Sequence, residues 1–276
     1  MSSIIFYIFL FVFGICIGSF LNVCILRIPL KETIVSERSH CMKCGHDLAW
    51  YDLFPLFSYL FLGGKCRYCK CKISKQYPIV EFTNGALAVL CFILNDFWPH
   101  RIIDDLEIGD ASQFLLKILI LVLSCALCSV LIVITVIDWR TFEIPFESNI
   151  FILVLGIIKF IASFVVYGGK FEWLEYVIGF FVVSIPLAII YYASKGRAMG
   201  GGDVKLMAVA GLFLGWKLVL VALITGCLYG SVIHIIRMKV SGEGKQLAMG
   251  PYLSAGIVTA LWFGKYIIEW YSGFFT

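Results

Sequence analysis

Two aspartates at the ends of apolar segments are the first residues whose type and position suggest chemistry. Asp138 closes an apolar segment, and Asp203 follows the glycines at 200–202 and opens another. Carboxylates at membrane depth are costly and usually functional. Two carboxylates in one low-dielectric site cannot both ionise, so the pair can act as general acid and general base around one water.

For either aspartate alone, a helix cap or a charge at the membrane edge is the simpler interpretation. The glycine run before Asp203 favours a functional site, because glycines would let an extended substrate backbone approach closely.

Two C-x-x-C motifs form the second constellation. Cys41 and Cys44 make the first, Cys66 and Cys69 make the second, and 21 residues separate them. This pattern is typical of a zinc site with four thiolate ligands. Disulfides and unpaired thiols are the alternatives, and a reducing cytoplasm disfavours disulfides. Cys71 is an alternative ligand. The other six cysteines lie in apolar segments and are expected to pack there.

The composition shows which class of protein must position these residues. Of the 276 residues, 61% are hydrophobic and only 14% are charged, and the mean hydropathy is +0.95. Soluble domains carry about 25% charged residues, so this chain has too little polar surface to cover a water-exposed globule. The sequence therefore predicts an all-α polytopic membrane protein.

Apolar segments predict the membrane spans, because a helix needs about 20 residues to cross the hydrocarbon core. The segments lie at residues 4–26, 77–98, 115–137, 149–167, 174–193, 204–216, 217–236 and 251–271. About eight transmembrane helices are therefore expected. The sixth segment is short, so a re-entrant or tilted half-helix, and hence seven spans, is the alternative.

The basic residues predict the orientation. The segment 27–76 holds nine lysines and arginines, and alternation of the spans places 16 on its side of the membrane against five on the other. Cytoplasmic loops carry the excess of Lys and Arg. Both aspartates and the cysteine-rich segment are therefore expected at the cytoplasmic face. The net charge of +4 is small, and no nucleic-acid partner is expected.

Three regions follow from these patterns. Residues 1–26 are expected to form a first transmembrane helix, which is a retained anchor because it lacks the basic start of a signal peptide. Residues 27–76 are expected to form a small cytoplasmic zinc-binding insert between helices 1 and 2. Residues 77–276 are expected to form the transmembrane bundle that carries both aspartates.

The chain resembles the type IV prepilin peptidases, which are membrane aspartyl proteases of the GxGD class. The resemblance covers nearly the whole length, and its ordered motifs are far more specific than a lone GxGD. Phe146 departs from the pattern, since the family often has Asp or Asn there, and this bears on local structure or substrate fit. Besides the C-x-x-C pairs, the motifs are GSFLNV at 18–23, RIP at 27–29, YPIVE at 77–81, ID at 137–138, IP at 144–145, GGGDVKL at 200–206 and GPYLSAG at 250–256.

The resemblance implies a bacterial enzyme of the cytoplasmic membrane that works among membrane lipid. Members cut the short basic leader from prepilins or pseudopilins at the cytoplasmic face, and many then methylate the new N-terminus with S-adenosylmethionine. Carried over to this chain, Asp138 and Asp203 are the catalytic dyad, and the four cysteines of the C-x-x-C motifs hold a structural Zn²⁺. Methylation rests on the resemblance alone, because no nucleotide-binding loop is visible.

Other polar residues carry weaker expectations. Glu81, Asn84 and Gly85 lie near the cytoplasmic end of the second span, where they either line the methyl-transfer region or make structural hydrogen bonds. Lys205 either holds the neighbouring aspartate ionised or contacts lipid phosphate. Lys159 lies in the middle of a span, and its long stem would let it snorkel towards the outer face.

Two other functions remain open at this point. A proton-coupled transporter would use the aspartates as a relay, but it should also show charges at the membrane midplane or an internal repeat, and the sequence shows neither. A membrane methyltransferase without protease activity would keep the cysteines and tolerate the loss of either aspartate.

Overall fold

A computed structural model describes residues 2–34, 39–94, 111–197, 199–241 and 247–274. The chain divides into two compact units, residues 1–99 and 100–276. Ten α-helices lie within the described residues: α1 (Ser2–Leu30), α2 (Phe57–Phe61), α3 (Gln76–Leu94), α4 (Ala111–Thr141), α5 (Phe146–Tyr167), α6 (Trp173–Val182), α7 (Ser184–Ala193), α8 (Gly201–Leu214), α9 (Trp216–Ser241) and α10 (Gly250–Ser272).

The helical architecture confirms the expected fold class of a membrane protein. Among the described residues, six stretches are long and apolar enough to cross a bilayer: Ile4–Leu30, Gln76–Leu94, Ala111–Thr141, Phe146–Lys170, Trp173–Ala193 and Trp216–Lys239. The other two expected segments are also helical. α8 has 14 residues and is about 21 Å long, too short for a core of about 30 Å. α10 has 23 residues, which is long enough, but its mean hydropathy is lower than that of the six stretches above. Residues 95–98 of the second expected segment lie outside the described residues.

The first unit pairs α1 with α3 at very short range. A Cβ added to Gly14 would lie 2.8 Å from the Cα of Gly85, and one added to Gly18 would lie 2.7 Å from the Cα of Glu81. Small residues allow helix backbones to approach this closely in membranes. The approach also lets Asn84 donate a hydrogen bond from Nδ2 to the Gly14 carbonyl at 2.7 Å. The structure therefore gives Asn84 and Gly85 a role in helix packing.

The second unit is built around α8, the short helix that opens with the glycine run. α8 packs against α5, α6, α7, α9 and α10, and Leu206, Met207, Ala210 and Phe213 on it are completely buried. The helix begins after Gly200, whose backbone is extended, and ends at Gly215, whose φ of +90° an L side chain rarely adopts. Because its neighbours enclose it, α8 has a fixed position from which to present Asp203.

Candidate active site and metal centre

Asp138 and Asp203 come together in the second unit, although 65 residues separate them in sequence. Asp138 lies in the last turn of α4 and is 4% exposed, and Asp203 lies in the first turn of α8 and is 7% exposed. The charge of Asp138 acts on the Asp203 carboxyl. Two buried carboxyls that act on each other electrostatically are suited to share one proton.

The start of α10 orients Asp138. The backbone N–H of Gly250 donates a hydrogen bond to Asp138 Oδ2 at 2.8 Å. A Cβ at position 250 would lie 2.7 Å from that oxygen, so any other residue would displace the carboxylate or the helix. This contact gives a physical role to the first glycine of the GPYLSAG segment, which is 112 residues away in sequence.

The glycine run orients Asp203 and allows a neighbouring segment to pack closely against the start of α8. The Asp203 carboxylate accepts a hydrogen bond from the backbone N–H of Gly200, so this aspartate also caps its own helix. A Cβ added to Gly202 would lie 2.9 Å from the Cβ of Ile144. Gly202 is therefore needed for close contact with the α4–α5 connection, and access of a substrate backbone to the run stays a prediction.

Lys205 and Phe146 contact each other beside this site. The Lys205 ammonium lies 5.2 Å from the centroid of the Phe146 ring, which is within the range of a cation–π interaction. Among the described residues, Lys205 makes no ion pair with Asp203. Phe146, which departs from the expected motif, is therefore in contact with Lys205.

Four buried polar side chains near the starts of α5 and α10 were not singled out from the sequence. They are between 3% and 4% exposed, and within the described residues the side-chain atoms in question have no hydrogen-bond partner: Ser148 Oγ, Asn149 Oδ1 and Nδ2, Tyr252 Oη and Ser254 Oγ. Buried polar atoms are nearly always paired, so these atoms are available to water or to a bound peptide. Polar residues at the start of an otherwise apolar helix were the available sequence signal.

In the first unit, the two C-x-x-C motifs form equivalent turns. Gly45 N–H donates to the Cys41 carbonyl at 2.8 Å, and Lys70 N–H donates to the Cys66 carbonyl at 3.0 Å. Both donors have positive φ, +69° for Gly45 and +59° for Lys70. A lysine accepts this conformation at an energetic cost, so the second turn is held by its surroundings and not by a glycine.

The two turns bring five thiols together. The sulfurs of Cys41, Cys66, Cys69 and Cys71 all lie within 4.8 Å of one another, and the Cys44 thiol interacts with those of Cys41 and Cys69. The tightest group of four therefore contains Cys71 where Cys44 was expected. All eleven cysteines are free thiols. Four or more convergent thiols fit a zinc ion, and this donor set could hold one.

Sulfur separations distinguish the candidate ligands. Two sulfurs on a tetrahedral zinc lie about 3.8 Å apart when Zn–S is about 2.3 Å. The Cys41 and Cys69 sulfurs are 3.9 Å apart, which agrees with that geometry. The Cys69 and Cys71 sulfurs are only 3.2 Å apart, so one of them must move before both can bind one tetrahedral ion.

Backbone N–H groups prepare one thiol in each turn for metal binding. Those of Cys44 and Lys43 lower the pKa of the Cys41 thiol to about 6, and that of Cys71 lowers the pKa of the Cys69 thiol. The thiolate is the form that binds metal.

An ion pair between Arg67 Nε and Asp52 Oδ1, at 2.6 Å, ties the second turn to the rest of the insert.

Comparison with known proteins identifies two matching family models. One, described as the bacterial peptidase A24 N-terminal domain, matches residues 12–95, and the other, described as the type IV leader peptidase family, matches residues 125–235. No solved structure matches the chain.

Three relatives each bear the name prepilin leader peptidase/N-methyltransferase. The protein of Myxococcus xanthus (strain DK1622) is 32% identical over 244 residues, which cover 87% of this chain but only 65% of the relative. That of Bacillus subtilis (strain 168) is 31% identical over 266 residues, covering 95% of this chain and 96% of the relative. That of Aeromonas salmonicida (strain A449) is 29% identical over 294 residues, covering 95% and 92%.

Proposed function

The chain belongs to the type IV leader peptidase family, and from that premise we propose that it is an aspartyl endopeptidase of the bacterial cytoplasmic membrane. It removes the leader from a prepilin or pseudopilin and then methylates the new N-terminus. The observation that carries the peptidase is the burial of Asp138 beside Asp203 in one unit. The names of the relatives join both activities, so neither a transporter nor a methyltransferase without peptidase activity is favoured.

In the proposed mechanism, Asp138 and Asp203 share one proton. The ionised carboxylate removes a proton from a water as that water attacks the scissile carbonyl carbon, and the protonated carboxyl donates to the carbonyl oxygen. The proton taken from water then passes to the leaving amine as the C–N bond breaks, and one hydroxyl of the intermediate returns its proton to the dyad as the product carboxyl group forms. The Gly250 N–H holds Asp138 in place throughout.

In this proposal, the buried polar atoms near the starts of α5 and α10 position the substrate. Asn149 offers both a donor and an acceptor, and Ser148 and Ser254 each offer a hydroxyl. An extended peptide backbone presents N–H and C=O groups that can pair with such atoms. Binding of the substrate thus satisfies groups that the folded protein leaves unpaired.

The zinc ligands in this proposal are Cys41, Cys44, Cys66 and Cys69, two from each equivalent turn. Cys71 stays outside this proposed set because each C-x-x-C turn already supplies two sulfurs. It is the alternative ligand, since its sulfur lies 3.8 Å from that of Cys41, but it is only 3.2 Å from that of Cys69, so Cys69 and Cys71 cannot both bind one tetrahedral ion as they stand. Four thiolates leave no open position for a substrate, so the ion has a structural role and holds the insert together.

The test is incubation of the purified protein with a synthetic prepilin, followed by mass spectrometry with and without S-adenosylmethionine. We expect leader removal in both cases and addition of one methyl group only with the donor. Asp138→Asn and Asp203→Asn keep the side-chain shape but cannot exchange the proton, so each should slow cleavage by at least about 10²–10⁴-fold.

Glu147→Gln is the matched control, because Glu147 is an exposed carboxylate on the first turn of α5 and should leave cleavage unchanged. Near-normal cleavage by either aspartate variant, in protein that remains folded, would contradict the proposed dyad.

A further inference from the structure

The short helix α2 of the insert has an exposed apolar side that the peptidase chemistry does not use. Phe57, Leu60 and Phe61 are between 48% and 86% exposed, and their spacing of i, i+3 and i+4 places them on one side of the helix. Residues on the other side line a cavity within the first unit: Leu56, Ser58, Tyr59 and Leu62. α2 therefore packs one side against its own unit and leaves the side formed by Phe57, Leu60 and Phe61 uncovered.

One hydrogen bond fixes the level of α2 along α3. The Leu56 N–H donates to Glu81 Oε2 at 2.8 Å, and Leu56 has a φ of +60°, which an L residue seldom adopts. Glu81 lies about 7–8 Å along α3 from its start at Gln76, since a helix rises about 1.5 Å per residue. The start of α2 is therefore held beside the second turn of α3, on the membrane side of the point where α3 begins.

This level of α3 carries side chains that are suited to lipid. Gln76–Leu94 is long and apolar enough to cross a bilayer, and Ile79 and Phe82 on it are exposed. Backbone groups at membrane depth need partners inside the protein, and Glu81 supplies one to the Leu56 N–H. The exposed apolar side of α2 therefore lies at the edge of the hydrocarbon core.

The surface of the insert is basic. Six of its lysines and arginines within the described residues 39–75 are exposed: Lys43, Lys65, Arg67, Lys70, Lys72 and Lys75. The acidic residues in this range are Asp47 and Asp52, and Asp52 forms an ion pair with Arg67. Basic residues combined with an apolar face are typical of segments that lie in the interface of membranes with anionic lipid.

We propose that the side of α2 formed by Phe57, Leu60 and Phe61 enters the membrane leaflet nearest to it, and that the basic residues of the insert bind the headgroups of anionic phospholipid. The bilayer is the favoured occupant because this side continues the lipid-facing surface of α3 and because the charges are complementary. An interfacial helix of this kind enters the boundary between headgroups and acyl chains by about 5–10 Å, which agrees with the level of Glu81. The proposal goes beyond the peptidase reaction and does not depend on it.

Photo-crosslinking of the full-length protein in liposomes tests the proposal. Phe61 is replaced by p-benzoylphenylalanine, in membranes of equal parts phosphatidylcholine and phosphatidylglycerol. The same replacement at Asp47, an exposed residue of the insert outside α2, is the control. Mass spectrometry should find lipid attached at position 61 about tenfold more often than at position 47, a factor that burial of one phenylalanine side chain supports. Phosphatidylglycerol should be attached about fivefold more often than phosphatidylcholine, the preference that one lysine near the surface supports.

Replacement of Leu60 in the same way provides a second site, in case the first replacement disturbs folding, and should give the same result. Attachment of lipid no more often at positions 60 and 61 than at position 47 would overturn the proposal, as would crosslinks that join two copies of the chain. Equal attachment of the two lipids would overturn the role of the basic residues. Neither readout requires leader cleavage, so failure of the proposed function would leave these outcomes unchanged.

Discussion

At the scale of single residues, Asn149 is difficult to account for by folding alone. It is 4% exposed, and neither its amide oxygen nor its amide nitrogen has a hydrogen-bond partner among the described residues. Each buried, unpaired polar group costs about 1–3 kcal/mol. An apolar residue of similar size would avoid this cost. We therefore interpret Asn149 as a residue that binds substrate or the attacking water.

Asn149→Leu should stabilise the protein and impair the reaction. Removing two unpaired groups should raise the free energy of unfolding by about 1–3 kcal/mol, while leader cleavage slows. Thermal unfolding in detergent and cleavage kinetics measure the two effects. Asn84→Leu is the contrast, because the Asn84 amide is paired with the Gly14 carbonyl and its loss should destabilise. Unchanged cleavage by Asn149→Leu would remove Asn149 from the site.

The five thiols allow a second prediction at this scale. Cys71→Ser should retain about one equivalent of zinc per chain, whereas Cys44→Ser should lower the metal content and destabilise the insert, because a four-thiolate site cannot be completed. Metal analysis of protein purified without added zinc measures both. The opposite pattern would make Cys71 the fourth ligand, and metal-free protein of full stability would contradict a zinc site altogether.

At the scale of the elements, α8 is held at both ends. Its start carries Asp203, and at its end the Phe213 carbonyl accepts a hydrogen bond from Lys159 Nζ at 2.6 Å. The Lys159 ammonium also lies 4.6 Å from the centroid of the Phe213 ring. The structure therefore gives the Lys159 ammonium a partner at the end of α8 that is opposite to Asp203, and snorkelling of Lys159 towards the outer face stays a prediction. A cation at a helix C-terminus is favourable because it opposes the partial negative charge there.

The crossing of α6 and α8 depends on Gly179 and Gly211. A Cβ added to Gly211 would collide with the Gly179 carbonyl. Gly211→Ala should therefore push the helices apart, lower the free energy of unfolding by about 1–3 kcal/mol and slow cleavage by displacing Asp203. Thermal unfolding and cleavage assays check this.

Gly230→Ala serves as the control for that substitution, since its Cβ would come no closer than 3.4 Å to the Tyr252 ring. Equal stability of the two variants would contradict this prediction, because it would show that the α6–α8 contact accommodates a methyl group at position 211.

At the scale of the whole molecule, the distribution of Lys and Arg predicts that both aspartates face the cytoplasmic edge of the bilayer. The apolar helix of a substrate can then stay in the membrane while the basic leader remains in the cytoplasm, where anionic lipids and the membrane potential favour it. A site at this depth needs no water channel to the bilayer centre.

Cysteine labelling in a cysteine-reduced background tests this topology. Thr141→Cys and Lys195→Cys, at the ends of α4 and α7, should resist an impermeant thiol reagent added outside intact cells and react once the membrane is opened. Gly169→Cys, at the opposite end of α5, should react from outside. Labelling of the first two positions from outside would reverse the orientation and exclude a cytoplasmic active site.

The membrane class, the helical segments, and the two aspartates and C-x-x-C pairs as candidate site residues can all be predicted from the sequence. These depend on local properties, since the hydropathy of about 20 residues predicts a span and the spacing within a C-x-x-C motif allows two sulfurs to reach one ion.

Only the tertiary structure placed the Gly250 N–H on Asp138, gave Gly202 a packing role against Ile144, added Cys71 to the thiol cluster and left Asn149 buried without a partner. Each of these depends on how distant segments pack, and hydropathy does not report this, because a lipid-facing and a core-facing apolar residue have the same hydropathy. The close approach of helices follows from shape, and shape is decided when all the neighbours of a residue are in place.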